Sequence, residues 1–354
     1  MSKAAFVTSF QGEIPLESDY GARIGKYVRA DSPDHLYDVQ YTEKAPPIGL
    51  GMFAYKHYEG CMIFDALRRQ GVGLDFKSML DIGSGFAAVP RIVYVRNHAE
   101  DVTAMDLFPY GVDALTNGAA RRMLAALWLA QKTGRGNVRG PMGKWEWVVG
   151  KENFTLPPLG ATGRFRYEVG DVYDHDGAYD WINSSLTLTH FDHRKLFPKI
   201  AELLVDGGIF TFTVECWWYP INSTQIVGDA PYMCQRLTRD DLLRYFAESH
   251  PDQDKEKVAA VYDYYADPSH PTASTYVETA AAHGLHPIVV DRHMNARPHN
   301  KRAGITPPYL GRETGQEPRD ALRDIHRFQD EVLLEDLYAS HYLMGFKKVA
   351  RTGA

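Results

Sequence analysis

Cysteine is scarce in this chain. Cys61, Cys216 and Cys234 stand far apart among 354 residues, and no two of them form a Cys-x-x-Cys pair. So sparse and odd a set supplies no disulfide framework and fits a reducing cytoplasm. Long apolar runs are missing too. The longest, Met123–Ala130, is far short of the ~18 residues that a membrane span needs. The opening residues, Met1-Ser2-Lys3-Ala4-Ala5-Phe6, lack a charged-then-apolar leader pattern. There is no excess of positive charge: 39 Lys and Arg stand against 45 Asp and Glu, a net of −6. That balance disfavours a nucleic-acid backbone as the main partner, because such binding rests on clustered cations. Short basic stretches such as Arg164–Arg166 and Lys347-Lys348 read as solvated faces. No internal repeat or low-complexity tract is present. The expectation is a soluble cytoplasmic protein with no membrane or nucleic-acid partner, and with a homo-oligomer left open.

What is present is an ordinary globular balance of 44% hydrophobic and 24% charged residues. At ~150 residues per domain the length suggests about two domains, or one enlarged α/β domain. Residues 1–47 are mixed, with weak periodicity, and end in Lys44-Ala45-Pro46-Pro47. Phe53, Cys61, Phe64 and Leu67 recur near helical spacing and predict a helix over 53–70, with Arg68, Arg69 and Gly71 at its end. Strands are expected at Ser78–Ile82, Asp101–Met105, Arg164–Val169, Tyr179–Asn183 and Ile209–Val214. Helices are expected at Pro90–Asn97, Val112–Gln131 and Arg194–Leu204, with Gly207-Gly208 as the stop of the last. Thr133–Gly163, with seven glycines and three prolines, reads as an insertion. Residues 216–280 look mostly helical, and late strands are expected at His286–Val290 and Tyr342–Val349. Strands alternating with helices argue for a parallel sheet with crossover helices.

The chemistry gathers where these strands end. Leu80-Asp81-Ile82-Gly83-Ser84-Gly85 runs from a strand into a glycine turn, where the backbone can turn tightly and approach a ligand closely. Asp106 ends the next strand, where an acid can take both hydroxyls of a ribose. Gly170-Asp171-Val172 ends the third. Asp171 there can accept from an adenine amino group, and the Val172 N–H can donate to a ring nitrogen. Asp180–Ser185 ends the fourth. Each acid alone also reads as a cap or turn residue. All of them fall at carboxyl ends of strands, where open α/β sheets bind ligands.

Over residues 53–215 and the last strand the chain resembles the class I S-adenosylmethionine-dependent methyltransferases. The resemblance is carried by Asp81-Ile82-Gly83-Ser84-Gly85, Asp106, Gly170-Asp171-Val172, Asp180–Ser185, and Leu204-Val205-Asp206-Gly207-Gly208 before strand five. His341–Lys348 looks like the family's antiparallel seventh strand. The resemblance implies a doubly wound, mostly parallel seven-stranded Rossmann-like sheet, with an N-terminal cap and helical insertions. It implies S-adenosylmethionine as cofactor. Asp81, Gly83 and Gly85 would hold its methionine end, Asp106 its ribose and Leu107 the flank of its adenine. Asp171 and Val172 would read the adenine edge, and Asn183 would sit near the methionine moiety or the transferred group. Ala88 stands where the family often has a third glycine, and the spacing from Asp106 to Asp171 is longer than the family pattern. Expected regions are a cap or lid at 1–70, the cofactor-binding core at 71–215, a helical substrate-side insertion at 216–285 and sheet-completing strands at 286–354.

A sulfonium makes its methyl carbon electrophilic, so positioning supplies much of the rate, with a base where the nucleophile carries a proton. His190 is the candidate base, since an imidazole titrates near neutrality; it also reads as a helix cap. Glu215, ending strand five, would orient a substrate amine or hydroxyl, or form a structural ion pair. His190-x-Asp192-His193 also permits a metal reading, but no ligand set of metal spacing goes with it. Tyr55, Tyr58, His193, Trp217 and Trp218 are candidates for the small-molecule acceptor, as aromatic density beside a crevice suits a flat or cationic compound. Ordinary core packing is the competing reading. The acceptor atom is oxygen or nitrogen, with carbon open, and a specialised metabolite is a guess from the large insertions. Nucleic acid as substrate is further disfavoured by a missing Asn-Pro-Pro-aromatic motif, with Asn183-Ser184-Ser185 in its place. Three alternatives stay open. One is aminocarboxypropyl transfer or cyclisation of the same cofactor with methylthioadenosine release. The second is a nicotinamide-dependent oxidoreductase, which here lacks a Tyr-x-x-x-Lys pair. The third is a non-catalytic cofactor-binding partner subunit.

Overall fold

The computed structural model describes residues 5–16, 60, 62–85, 90, 93, 99–107, 163–216, 230, 232–265, 271–294, 318–337 and 339–350. They belong to two compact units. One contains Tyr41–Val214, Val277–Val290 and Leu343–Ala354, and the other Met1–Gln40, Glu215–Tyr276 and Asp291–Tyr342.

The first unit is built on a seven-stranded sheet. Its strands are β3 (Phe76–Ile82), β4 (Ala99–Asp106), β5 (Arg164–Val169), β6 (Tyr179–Ser185), β7 (Leu204–Glu215), β8 (Leu285–Met294) and β9 (Ala339–Lys348). They lie in the order β5-β4-β3-β6-β7-β9-β8. β3 to β7 pair in parallel. β9 runs against its neighbours. Gly345 lies beside Val289, the Val349 N–H donates to the Gly284 carbonyl, and Lys348 Nζ donates to the Leu204 carbonyl at the start of β7. This is the doubly wound, mostly parallel sheet that the sequence implies, with the last strand inserted inside the edge.

The strands are apolar because both faces are covered. On one face Met79, Val102, Trp181 and Ile209 pack with Phe64 and Leu67 of the 62–69 helix. That helix ends as its sequence predicts. The Gly71 N–H bonds the Arg68 carbonyl and the Val72 N–H bonds the Leu67 carbonyl, with Gly71 at φ +72°, a Schellman cap. On the other face Phe197 of α1 (His193–Leu203) meets Phe210, Phe212 and Phe346 at ring separations of 5.7 to 6.1 Å. Asp192 caps α1, its carboxylate accepting from the Arg194 N–H.

Gly207-Gly208 does not stop a helix. α1 ends at Leu203 and the pair lies inside β7, where the register jumps from Tyr179↔Leu204 to Trp181↔Ile209. Two residues of β6 thus span five of β7, a bulge that Gly207 makes at φ +80°. The expected helix Val112–Gln131 and most of Pro90–Asn97 and Thr133–Gly163 lie outside the described residues.

The second unit opens with a hairpin that weak periodicity did not announce: β1 (Ala5–Val7) pairs antiparallel with β2 (Glu13–Pro15). Its Phe6 and Ile14 join a core with Met233, Leu237, Leu242, Tyr245 and Phe246. The helices here are α2 (Met233–Arg236), α3 (Arg239–Ser249), α4 (Lys255–Tyr265) and α6 (Pro318–Ile325), while α5 (Ala273–Ala282) is divided between the two units after Tyr276, so the helical reading of 216–280 holds where residues are described. The buried Asp336 carboxylate is shared by Arg292 (2.7 Å), Tyr342 (2.9 Å) and the Leu333 N–H (2.9 Å). No helix among the described residues is long and apolar enough to cross a membrane.

A Cβ at Gly208 would lie 2.8 Å from the Val205 carbonyl oxygen and 3.1 Å from that of Tyr179. Gly208→Ala is therefore expected to lower unfolding stability by about 1–3 kcal/mol, as the new Cβ is forced against those carbonyls, read as a lower urea midpoint.

Candidate active site

A cleft of about 210 Å³ opens at the carboxyl ends of β3, β4, β5 and β6, bordered by Gly83, Gly85, Asp106, Leu107, Asp171, Val172, Thr187 and His190. Six of these residues come from the cofactor-binding set read from the sequence. The strand tips are stitched by backbone bonds. The Ser84 N–H donates to the Met105 carbonyl and the Gly170 N–H to the Asp106 carbonyl, both at 2.9 Å. The Asp106 carboxylate accepts from the Gly85 N–H at 2.8 Å, and the Tyr167 hydroxyl donates to the Gly85 carbonyl at 3.3 Å. Asp106 therefore shapes the glycine loop besides presenting its charge to the cleft. Leu107, just beyond it, is 55% exposed and gives the cleft an apolar lip.

The glycine loop is set by close approach. Gly83 and Gly85 adopt φ of +63° and +51°, and a Cβ on Gly83 would lie 2.6 Å from Thr187 Oγ1. That hydroxyl sits 3.3 Å from both the Ile82 and Gly83 carbonyls and 3.0 Å from Ser184 Oγ. Thr187 thus clamps the loop from the far side of β6. The sequence reading gave it no role, and its place after strand four is the one signal that pointed there. Phe191 and Met105 also line the cleft without having been given a role, and so does Gly170 of the Gly170-Asp171-Val172 motif. Ser84 Oγ, in the same loop, is buried with no hydrogen-bond partner among the described residues.

Asp171 does two things. It borders the cleft, and its carboxylate accepts from the Tyr173 N–H at 3.0 Å, capping the 3-10 turn Val172–Asp174. Its turn reading and its ligand reading thus occupy one residue. The Val172 N–H opens that turn, where no acceptor exists within the turn itself.

Asp81 and Asn183 lie beneath the loop and do not line the cleft. Asp81 is 2% exposed and Asn183 wholly buried, with Asn183 Nδ2 donating to Asp81 Oδ1 at 2.6 Å. Asn183 thus holds Asp81 from the neighbouring strand.

His190 ends a 3-10 turn, Leu188–His190, at the cleft rim. Its ring is exposed on one side. Burial of the other pushes its pKa below the ordinary value, while the Asp106 carboxylate pulls it back up. His193 opens α1, edge-on to Phe197 at 6.4 Å, and burial lowers its pKa too, against Asp192. Glu215 is the last residue of β7. Tyr55, Tyr58, Trp217 and Trp218 lie outside the described residues. Chemically, the cleft offers a glycine cradle, a carboxylate, an apolar lip and an imidazole that is neutral at pH 7.

Two outcomes follow from this geometry. Gly83→Ala should cost more stability than Gly85→Ala in urea unfolding. Both cost about 1–2 kcal/mol for a left-handed alanine, but among the described residues a Cβ on Gly83 meets Thr187 and one on Gly85 meets nothing within 4 Å. In an NMR titration His190 should protonate below the ~6.5 of free imidazole. Asp106→Asn should lower that midpoint further, because it removes the charge that pulls it up. A His190 midpoint that rises in Asp106→Asn contradicts this account.

No family model and no curated protein matches this chain. Among solved structures, it is similar to phosphoethanolamine N-methyltransferase 2 from Haemonchus contortus bound to S-adenosyl-L-methionine. Identity is 17%, the TM-score is 0.43, and the match covers 90% of this chain and 60% of that one. It is also similar to geranyl diphosphate C-methyltransferase from Streptomyces coelicolor A3(2), solved with Mg2+, geranyl diphosphate and S-adenosyl-L-homocysteine. There identity is 13%, the TM-score is 0.41, and coverage is 82% of this chain and 79% of that one. The strand order, with β9 inserted antiparallel between β7 and β8, gives the chain the Rossmann-like α/β fold expected from its sequence.

Proposed function

We propose that the chain is an S-adenosylmethionine-dependent methyltransferase acting in the cytoplasm on an oxygen or nitrogen atom of a small molecule. The observation that carries this reading is the convergence of Gly83, Gly85, Asp106, Leu107, Asp171 and Val172 on one cleft at four adjacent strand tips. The chemistry of these donors fits the nucleoside. Asp106 presents a carboxylate to vicinal hydroxyls, Leu107 offers an apolar flank for a flat ring, and the Asp171–Val172 turn offers an acceptor beside a donor N–H. The glycine turn leaves room for the amino-acid end, with Asp81 buried beneath it.

S-adenosylmethionine, when bound, supplies an electrophilic methyl carbon on a sulfonium. The chain holds the nucleoside and orients the acceptor, and in-line positioning accounts for much of the rate. His190 takes the acceptor's proton. Its lowered pKa keeps the imidazole neutral and able to accept at pH 7, a state lost as the pH falls through that lowered value. The net charge of −6 favours a small acceptor over a nucleic acid.

Asp106→Ala should weaken S-adenosylmethionine binding by at least ~1 kcal/mol in calorimetry, through a lost charged hydrogen bond. An unchanged dissociation constant removes Asp106 from the site. With a panel of small phenols, alcohols and amines, turnover should release S-adenosylhomocysteine. Methylthioadenosine instead would redirect the reading to aminocarboxypropyl chemistry. His190→Gln should lower kcat by about 10²–10⁴-fold with the cofactor affinity nearly kept.

A further inference from the structure

Asp81, Asn183 and Thr211 are register partners across β3, β6 and β7, a polar row inside an otherwise apolar sheet. Trp181 precedes Asn183 by two residues and points to the same face. All four are buried, at 2%, 0%, 1% and 0% exposure in the order Asp81, Asn183, Thr211, Trp181. Their hydrogen bonds form one chain. Trp181 Nε1 donates to Thr211 Oγ1 at 2.7 Å, Thr211 Oγ1 donates to Asn183 Oδ1 at 2.9 Å, and Asn183 Nδ2 donates to Asp81 Oδ1 at 2.6 Å.

The polarity of this chain admits one direction. An indole nitrogen only donates, so Thr211 Oγ1 must accept from it and turn its own proton away. That proton meets Asn183, which must present its carbonyl to Thr211 and its amide N–H to the other side. On that side stands Asp81, whose facing oxygen is thereby required as an acceptor. A second amide proton reaches Ser185 Oγ at 3.2 Å, so both ends of the Asn183 side chain are engaged. Without the threonine hydroxyl, the Asn183 carbonyl loses the bond that anchors it, and the amide that meets Asp81 is held less firmly.

We infer that Thr211 is a positioning residue for the methionine end of the cofactor. Fixed by Trp181, it anchors the Asn183 amide that in turn holds the Asp81 carboxylate in place beneath the glycine loop. This rests on the methyltransferase reading above and adds to it a residue two strands away from Asp81. A carboxylate fixed there sets a negative charge beneath the loop, which favours an ammonium at the amino-acid end of the ligand.

The test is calorimetry on the full chain with two nucleosides. S-adenosylhomocysteine carries the aminocarboxypropyl arm, and methylthioadenosine lacks it. Thr211→Val should weaken S-adenosylhomocysteine about tenfold or more, the scale of one charge-assisted hydrogen bond, and leave methylthioadenosine within about twofold. Thr211→Ser, which keeps the hydroxyl, should restore S-adenosylhomocysteine to within about threefold of the native chain. Equal losses for both nucleosides in Thr211→Val would mean that the residue only supports the sheet, and would overturn the inference. So would an unchanged affinity for S-adenosylhomocysteine, or a serine variant no better than valine. A native chain that binds neither nucleoside overturns the cofactor reading itself, and the inference with it.

Discussion

Burial of both faces of the central strands is the constraint from which the site follows. With aromatic and aliphatic side chains filling the layers above and below β3, β6 and β7, polar groups can meet a ligand only at the strand ends. There the backbone leaves the ladder, carbonyls and N–H groups need partners, and a carboxylate such as Asp106 can serve loop and ligand together. The cleft is thus the place where the sheet ceases to satisfy itself.

Within that frame, the glycine loop is held by contact as much as by conformational freedom. Thr187 fills the space that a side chain on Gly83 would take, and Asp106 receives the Gly85 N–H. Two elements far apart in sequence thereby set the curvature of a three-residue turn. Preorganisation of this kind reduces what a ligand must spend on ordering its own site.

The strands were legible because their apolar runs are short, bounded and followed by acids or glycines. Arg164–Val169 matches its expected bounds, and the others extend by a few residues. The glycine turn, Asp106, Leu107, Asp171 and Val172 were legible for the same reason: each closes a strand, and parallel pairing brings the closures together. Gly207-Gly208 misled because a glycine pair marks a helix stop and a strand bulge equally well, and only the register between β6 and β7 separates them. The β1–β2 hairpin escaped notice because three-residue strands carry no period. The roles of Thr187, Thr211 and the buried Asn183 depend on which residues stand side by side across strands, a relation that local pattern does not encode.

The place of β9 has a consequence for how the sheet is assembled during synthesis. β7 and β8 are both translated before the strand that separates them, Ala339–Lys348. Until that segment leaves the ribosome, β7 presents a naked hydrogen-bonding border to the cell, and β8 has no neighbour to lie against. The nascent chain must therefore avoid joining those two borders to each other, or to those of another chain, before its final piece arrives to keep them apart.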